Sequence, residues 1–380
     1  MSQPKPSPTP FSWKFLRGVL LKAALLFVAL NLLFALLYPM GFLGGLSLYN
    51  LAFPGRLRLP FGENQAKAYN LSLNNLPAMF ASLQLNAPTS AAEYRVLLVG
   101  DSSVWGTLLR PQDTLAGQLN AANLTCGSAR IQAYNQGNPT LKAAKDLLLL
   151  DEALRRYQPD RIVWLVTLEG LPRELQLKSP LLANNAERAE ALIAAYHLNL
   201  DPAGLVHPSL WDKTIIGARR PLADLARLQF YGALWGATGI DQTYPDNYEP
   251  AARDLDPDLS FHGRQPPILD ASSLALDVLS AGATLAAQHH VALTFVNEPI
   301  LISRGKNSDL RYNFFYPRWA YDQYRQVLQD FMQKNNYSYA DAWDAVPEAE
   351  FTNSAIHLTP AGESLLTARV GSLLQSGCQK

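Results

Sequence analysis

From Tyr94 onward, five short apolar runs at 95–99, 130–134, 161–166, 291–296 and 337–340 alternate with longer stretches of helical period. That alternation is the mark of βαβ units, whose strands lie parallel and are covered on both faces. Apolar residues recur at helical spacing over 114–122, 141–157, 186–196, 274–288 and 321–334, and a closing helix is expected from 360 to about 374. The predicted fold class is α/β, a three-layer α/β/α sandwich around a mainly parallel five-stranded sheet. Open sheets of this kind collect ligands beyond the carboxyl ends of their strands, so functional residues are expected there.

One interval, 198–269, breaks the rhythm with many Pro, Asp, Trp and Tyr residues and a single helical stretch at 222–235. It reads as an inserted cap. Leu222, Leu225, Leu228 and Trp235 share one face of that stretch, which either packs on the sandwich or meets a membrane or membrane partner.

The amino end carries a different signal. Lys5, Lys14, Arg17 and Lys22 occur in the first 22 residues without one acid, and 23–55 contains no charged residue at all. A positive cluster ahead of an apolar run of about 20 residues predicts a transmembrane signal anchor, with the amino end cytoplasmic and the remainder outside. The predicted organisation is a cytoplasmic tail at 1–15, an anchor at 16–46, a membrane-proximal collar at 47–93 and a globular domain at 94–380. A cleaved signal peptide is the rival, and it lacks an A-x-A site after the apolar run.

Thirty-two basic residues balance 32 acidic ones, which gives no electrostatic basis for nucleic-acid binding. The two cysteines, Cys126 and Cys378, have neither CxxC spacing nor histidine pairs, so no metal site is expected. In an exported domain they form either one disulfide or two unrelated thiols.

The first strand runs into Gly100-Asp101-Ser102, where glycine permits a tight strand-to-helix turn that delivers a serine to the sheet edge. Near the far end, His357 directly precedes the last helix in His357-Leu358-Thr359-Pro360. A serine becomes a competent nucleophile only beside a base, and histidine has the proton affinity for it near neutral pH. This ordered pair resembles the SGNH (GDSL-type) hydrolase superfamily, over roughly 94–375 apart from the insertion. The resemblance implies a flavodoxin-like SGNH fold, Ser102 as nucleophile and His357 as base. It also implies Gly137, in Asn135-Gln136-Gly137-Asn138, as an oxyanion donor beside the Ser102 N–H.

Two positions depart from the family pattern. Glu169 stands where the family has an asparagine whose amide completes the oxyanion hole, and an ionised carboxylate cannot donate that bond. Ser354 stands where an aspartate normally precedes the histidine by three residues, leaving Asn353 as a neutral orienting group. Glu298, just past the fourth strand, and Glu169 are both placed to approach the histidine as a substitute acid or to line the pocket, and Asn297 is the candidate substitute oxyanion donor.

The resemblance implies a membrane-anchored extracytoplasmic serine esterase or O-acyltransferase without a cofactor, acting on acyl esters. Membrane-tethered proteins of similar architecture act beside membrane-bound O-acyltransferases, which implies cell-envelope glycans as substrates and such an enzyme as partner. A non-catalytic SGNH-like domain that binds envelope carbohydrate or scaffolds a membrane acyltransferase complex is the competing reading, and the two departures favour it.

Overall fold

The computed structural model describes residues 12–62, 64, 66–86 and 93–378, so most of the expected tail lies outside the described residues. Six strands occur: β1 Glu93–Gly100, β2 Thr125–Cys126, β3 Ala129–Gly137, β4 Arg161–Val166, β5 Ala292–Asn297 and β6 Ser338–Asp341. They form one sheet in the order β2-β3-β1-β4-β5-β6, parallel throughout except where β2 meets β3. The strand not foreseen, β2, is two residues long and too short to carry a period-2 signal. Its Cys126 is joined by a disulfide to Cys378, with Cα atoms 5.2 Å apart, which fastens the sheet edge to the end of the last helix.

The helices are α1 Trp13–Leu37, α2 Met40–Gly44, α3 Leu76–Ala81, α4 Ser102–Trp105, α5 Leu115–Ala121, α6 Ala143–Arg156, α7 Pro180–Ala183, α8 Ala186–Tyr196, α9 Arg219–Thr238, α10 Leu276–Gln288, α11 Arg318–Lys334 and α12 Pro360–Gly377. Because successive strand residues face opposite sides, Leu97, Val99, Ile162, Trp164 and Phe295 pack under α6, α10 and α11. Val96, Leu98, Val163, Leu165 and Val296 pack under α4, α5 and α12. The result is the three-layer sandwich expected from the alternating pattern.

The apolar amino-terminal segment is one 25-residue helix, α1, in which only Asn31 and Ala35 are buried. Its length exceeds the roughly 20 residues that cross a hydrocarbon core. The helix stops short of the expected 46: Tyr38 takes a left-handed conformation (φ 35) ahead of Pro39, which disfavours helical backbone before it, and α2 starts afresh.

The helical stretch in the insertion is α9, longer at both ends than expected. Its Leu225 and Leu228 join the apolar cluster beneath α6, α10 and α11, Trp235 is buried, and the Tyr49 ring lies against Gly232, so sandwich and collar together cover that face. Collar and insertion then converge on the turn bearing Ser102. Arg58 pairs with Asp241 at 2.6 Å, both 2% exposed, and its Nη1 donates to the carbonyls of Trp105 (3.0 Å) and Gly106 (2.9 Å). Trp105 Nε1 donates to Leu59 O at 2.8 Å.

Candidate active site

The β1 strand ends at Gly100, and Asp101 caps the four-residue α4 by accepting the Ser103 N–H at 2.8 Å. This cap fixes Ser102 at the carboxyl edge of the sheet. From the other end of the chain, Thr359 caps α12, and the segment before it returns through a bridge between Phe351 and Leu358. That return brings His357 Nε2 to 2.8 Å from Ser102 Oγ. On the other side of the ring, Nδ1 lies 3.2 Å from Asn353 Oδ1. An amide oxygen can only accept, so the imidazole proton sits on Nδ1 and Nε2 is left to take the serine proton. Burial of the ring pulls the His357 pKa down to about 4, so it is neutral over the range in which a base is needed.

Gly137 is a glycine for a steric reason: a Cβ there would stand 2.3 Å from the backbone nitrogen of Trp105 in α4. Close approach brings the end of β3 against α4. The Gly137 N–H, however, donates to Asn135 Oδ1 at 2.9 Å, so the expected oxyanion donor is already paired. Asn138, next in line, is 5% exposed, with its N–H on Gly100 O at 3.0 Å and its carbonyl accepting from Lys145 Nζ at 2.7 Å. Among the described residues its side-chain amide has no hydrogen-bond partner. It is the amide on this edge that reading the motifs alone passed over, because attention fell on the glycine.

The two substitute residues at the end of β5 point elsewhere. Side chains alternate across the sheet, so Asn297 faces α11, where its Oδ1 accepts from Tyr324 at 3.0 Å and its Nδ2 donates to Asp341 at 2.9 Å. It is consumed by these bonds and offers no oxyanion donor. Glu298 faces the opposite layer and accepts from Ser103 Oγ, while among the described residues the partner of His357 Nδ1 is Asn353. The expected orienting acid is therefore under the turn bearing Ser102 instead of behind the histidine. Glu298 is 1% exposed, and burial together with neighbouring Asp101 pushes its carboxyl well above the usual carboxylate range.

Glu169, in the asparagine position, is bound by the insertion: His262 Nε2 lies 2.8 Å from its Oε2 and 3.0 Å from its Oε1. Its backbone N–H donates to Tyr316 OH at 3.3 Å. Neither His262 nor Lys145 was distinguishable by sequence spacing. His262 lies 93 residues from its partner, and Lys145 looks like any lysine on a helix until its 0% exposure and its bond to Gly100 O are seen. Among the described residues, no group of three or more His, Cys, Asp or Glu is placed to hold a metal ion.

No protein-family model and no curated protein matches the sequence. Solved structures with similarity include a putative lipolytic protein of the G-D-S-L family from Desulfitobacterium hafniense DCB-2, 11% identical, covering 74% of this chain and 99% of that one at a TM-score of 0.35. The psychrotrophic esterase EstA from Pseudoalteromonas sp. is 10% identical, covering 76% and 100%, with a TM-score of 0.38. An acetyl xylan esterase, AlAXEase, is 12% identical, covering 74% and 99%, with a TM-score of 0.37. Likenesses this distant decide neither fold nor activity, which rest on this chain's own strand order and side chains.

Proposed function

We propose that this chain is a serine esterase or O-acyltransferase of the SGNH type, held to a membrane by α1 with its domain on the extracytoplasmic side. The observation that carries the reading is the 2.8 Å approach of Ser102 Oγ to His357 Nε2, two residues 255 positions apart. His357 takes the serine proton as Oγ attacks an ester carbonyl. The oxyanion rests on the Ser102 N–H and the Asn138 amide. Collapse expels the alcohol, which receives the proton from His357, and leaves the acyl group on Ser102. Water, or a hydroxyl of an envelope glycan, then attacks the acyl-enzyme with His357 again as base. Glycan acceptors and a membrane-bound O-acyltransferase partner follow from the resemblance to membrane-tethered proteins of this architecture.

Lys5 ahead of α1 and Lys14, Arg17 and Lys22 in its first ten residues support a cytoplasmic amino end, and a Cys126–Cys378 disulfide suits an oxidising compartment. A fluorophosphonate probe tests the chemistry: the full-length chain should be labelled and Ser102→Ala should not. Equal labelling of both, or none of the wild type, would overturn the proposal. The pairing of the Gly137 N–H with Asn135 favours one competing reading, a non-catalytic domain that binds envelope carbohydrate or scaffolds an acyltransferase complex. That reading expects an unlabelled wild type whose glycan binding survives Ser102→Ala.

A further inference from the structure

The insertion touches α1 far from where the helix ends. Asn31 is one of only two buried residues of α1, and its Oδ1 accepts the N–H of Ile216 at 3.3 Å. Asn31 precedes Leu37, the last residue of the helix, by six positions, which is about 9 Å of axial rise. Whatever depth Asn31 has in a bilayer, the insertion around Ile216 shares it. The same segment is apolar on its outer side: Val206 is 77% exposed, Leu210 60% and Trp211 61%.

The apolar surface continues past the end of α1. Gln229 of α9 donates to Leu46 O at 3.0 Å and accepts from the Leu48 N–H at 2.8 Å, clamping α9 to the chain that leaves the anchor. Beside that clamp Phe230 is 71% exposed and Leu51 86% exposed. The segment itself carries Lys213, 5.6 Å from the Tyr38 ring, beside exposed Asp212, and Arg219 and Arg220 open α9 just after it in exposed positions. Apolar and tryptophan side chains flanked by cations are the composition of a surface immersed about 5–10 Å at a headgroup boundary, and the ~9 Å offset falls within that depth.

We infer that 206–216, together with Phe230 and Leu51, is a second membrane-contacting element, seated in the outer part of the leaflet that surrounds the carboxyl-terminal third of α1. Its occupant is the phospholipid leaflet, because this surface is continuous with the anchor. The inference rests on the reading of α1 as a membrane span. It makes the domain a body held at two places, which fixes its tilt. Arg58, bonded to Asp241 of the insertion and to the carbonyls of Trp105 and Gly106, ties this body to the turn bearing Ser102.

The disulfide leaves no other thiol in the chain, so one introduced cysteine takes a spin label cleanly. Full-length protein in phosphatidylcholine–phosphatidylglycerol nanodiscs is labelled separately at Val206→Cys, Leu210→Cys and Phe230→Cys. Leu30→Cys in α1 and Leu365→Cys on α12 serve as references. Collision with oxygen relative to a water-soluble nickel chelate should be several-fold higher at 206, 210 and 230 than at 365, and should approach the value at 30. Water-like values at the three test sites with a lipid-like value at 30 would overturn the second contact while sparing the anchor. A water-like value at 30 would bring down the anchor and the inference with it. Spin–spin broadening at 210 that disappears on dilution with unlabelled protein would give the surface to a second copy, and would also overturn it.

Discussion

Two sets of polar groups meet at the turn after β1, and they handle charge in opposite ways. On the open side, Ser102, His357 and Asn353 form a relay with no formal charge at neutral pH, its asparagine exposed and its serine and histidine half-buried. Beneath the turn, Asp101, Asp146, Glu298 and Glu363 are all buried, as is Lys145, which pairs with Asp146 and donates to the carbonyls of Gly100 and Asn138. Four buried carboxyls with one buried ammonium among them cannot all ionise in a dry site. Burial raises Asp146 to about 6 and Glu363 to about 8, and Glu298 is held higher than the ordinary carboxylate as well. The comparison teaches that acids near a catalytic serine need not belong to its relay. Here the acid lies under the turn, on Ser103 Oγ, and the Nδ1 partner of His357 is the uncharged Asn353.

The comparison breaks most severely if the open relay does nothing. His357→Ala removes the only base within reach of Ser102 Oγ among the described residues, and should lower kcat on the order of 10⁶-fold, the scale seen when a serine or its histidine is deleted. Ester turnover by a purified full-length variant measures it. In the wild type, activity should be flat down to about pH 5 and fall below it, because the base is lost only when His357 takes a proton near 4. Next in size is Asn138→Ala. Loss of one oxyanion donor costs roughly 10²–10³ in kcat, with little change in KM. A KM effect alone would show that Asn138 holds only the loop.

Asn353→Asp sharpens the contrast by putting into the open relay the charge it lacks. A carboxylate on Nδ1 favours the imidazolium, so the acid limb of the pH–rate profile should move up by about 1–3 units from its position near 4. Turnover above that limb should rise by about tenfold, since the new charge also stabilises the imidazolium formed in the transition state. An unmoved limb would mean that the Nδ1 proton lies elsewhere.

Much of this was legible in the sequence because it is periodic. Parallel strands buried on both faces are continuous apolar runs, and β4 falls on 161–166 as read. Ser102 and His357 were legible because each sits at the junction of a strand or bridge with a capped helix. What lay beyond reading was the direction of side chains past the strand ends. Asn297 and Glu298 are neighbours in sequence yet face opposite layers, and nothing in Val296-Asn297-Glu298-Pro299 says which layer holds α4. Glu169 poses the same difficulty, since its partner His262 comes from an insertion without period. The break after Leu37 was legible in Pro39 but was overrun by the hydropathy of 40–46.

The smallest effect on turnover is expected from Glu298→Gln, and it discriminates most finely between the two sets of groups. Were Glu298 the orienting acid of the relay, neutralising it would cost about 10⁴-fold. Its carboxyl instead accepts from Ser103 Oγ, a bond that an amide oxygen can also accept, so kcat should stay within a few-fold of wild type. Stability should respond in its place. The folded-state pKa of Glu298 is raised above 4.5, so its contribution is complete below about pH 4.5 and is lost as pH rises through the folded-state value. Glutamine has no proton to lose. The variant should therefore match the wild type in thermal melts near pH 4.5 and exceed it increasingly at alkaline pH, where the wild type must either keep the proton against the solvent or ionise a buried acid. A melting difference independent of pH would mean that Glu298 is not the group holding the proton, and a 10⁴-fold loss of turnover would return it to the relay.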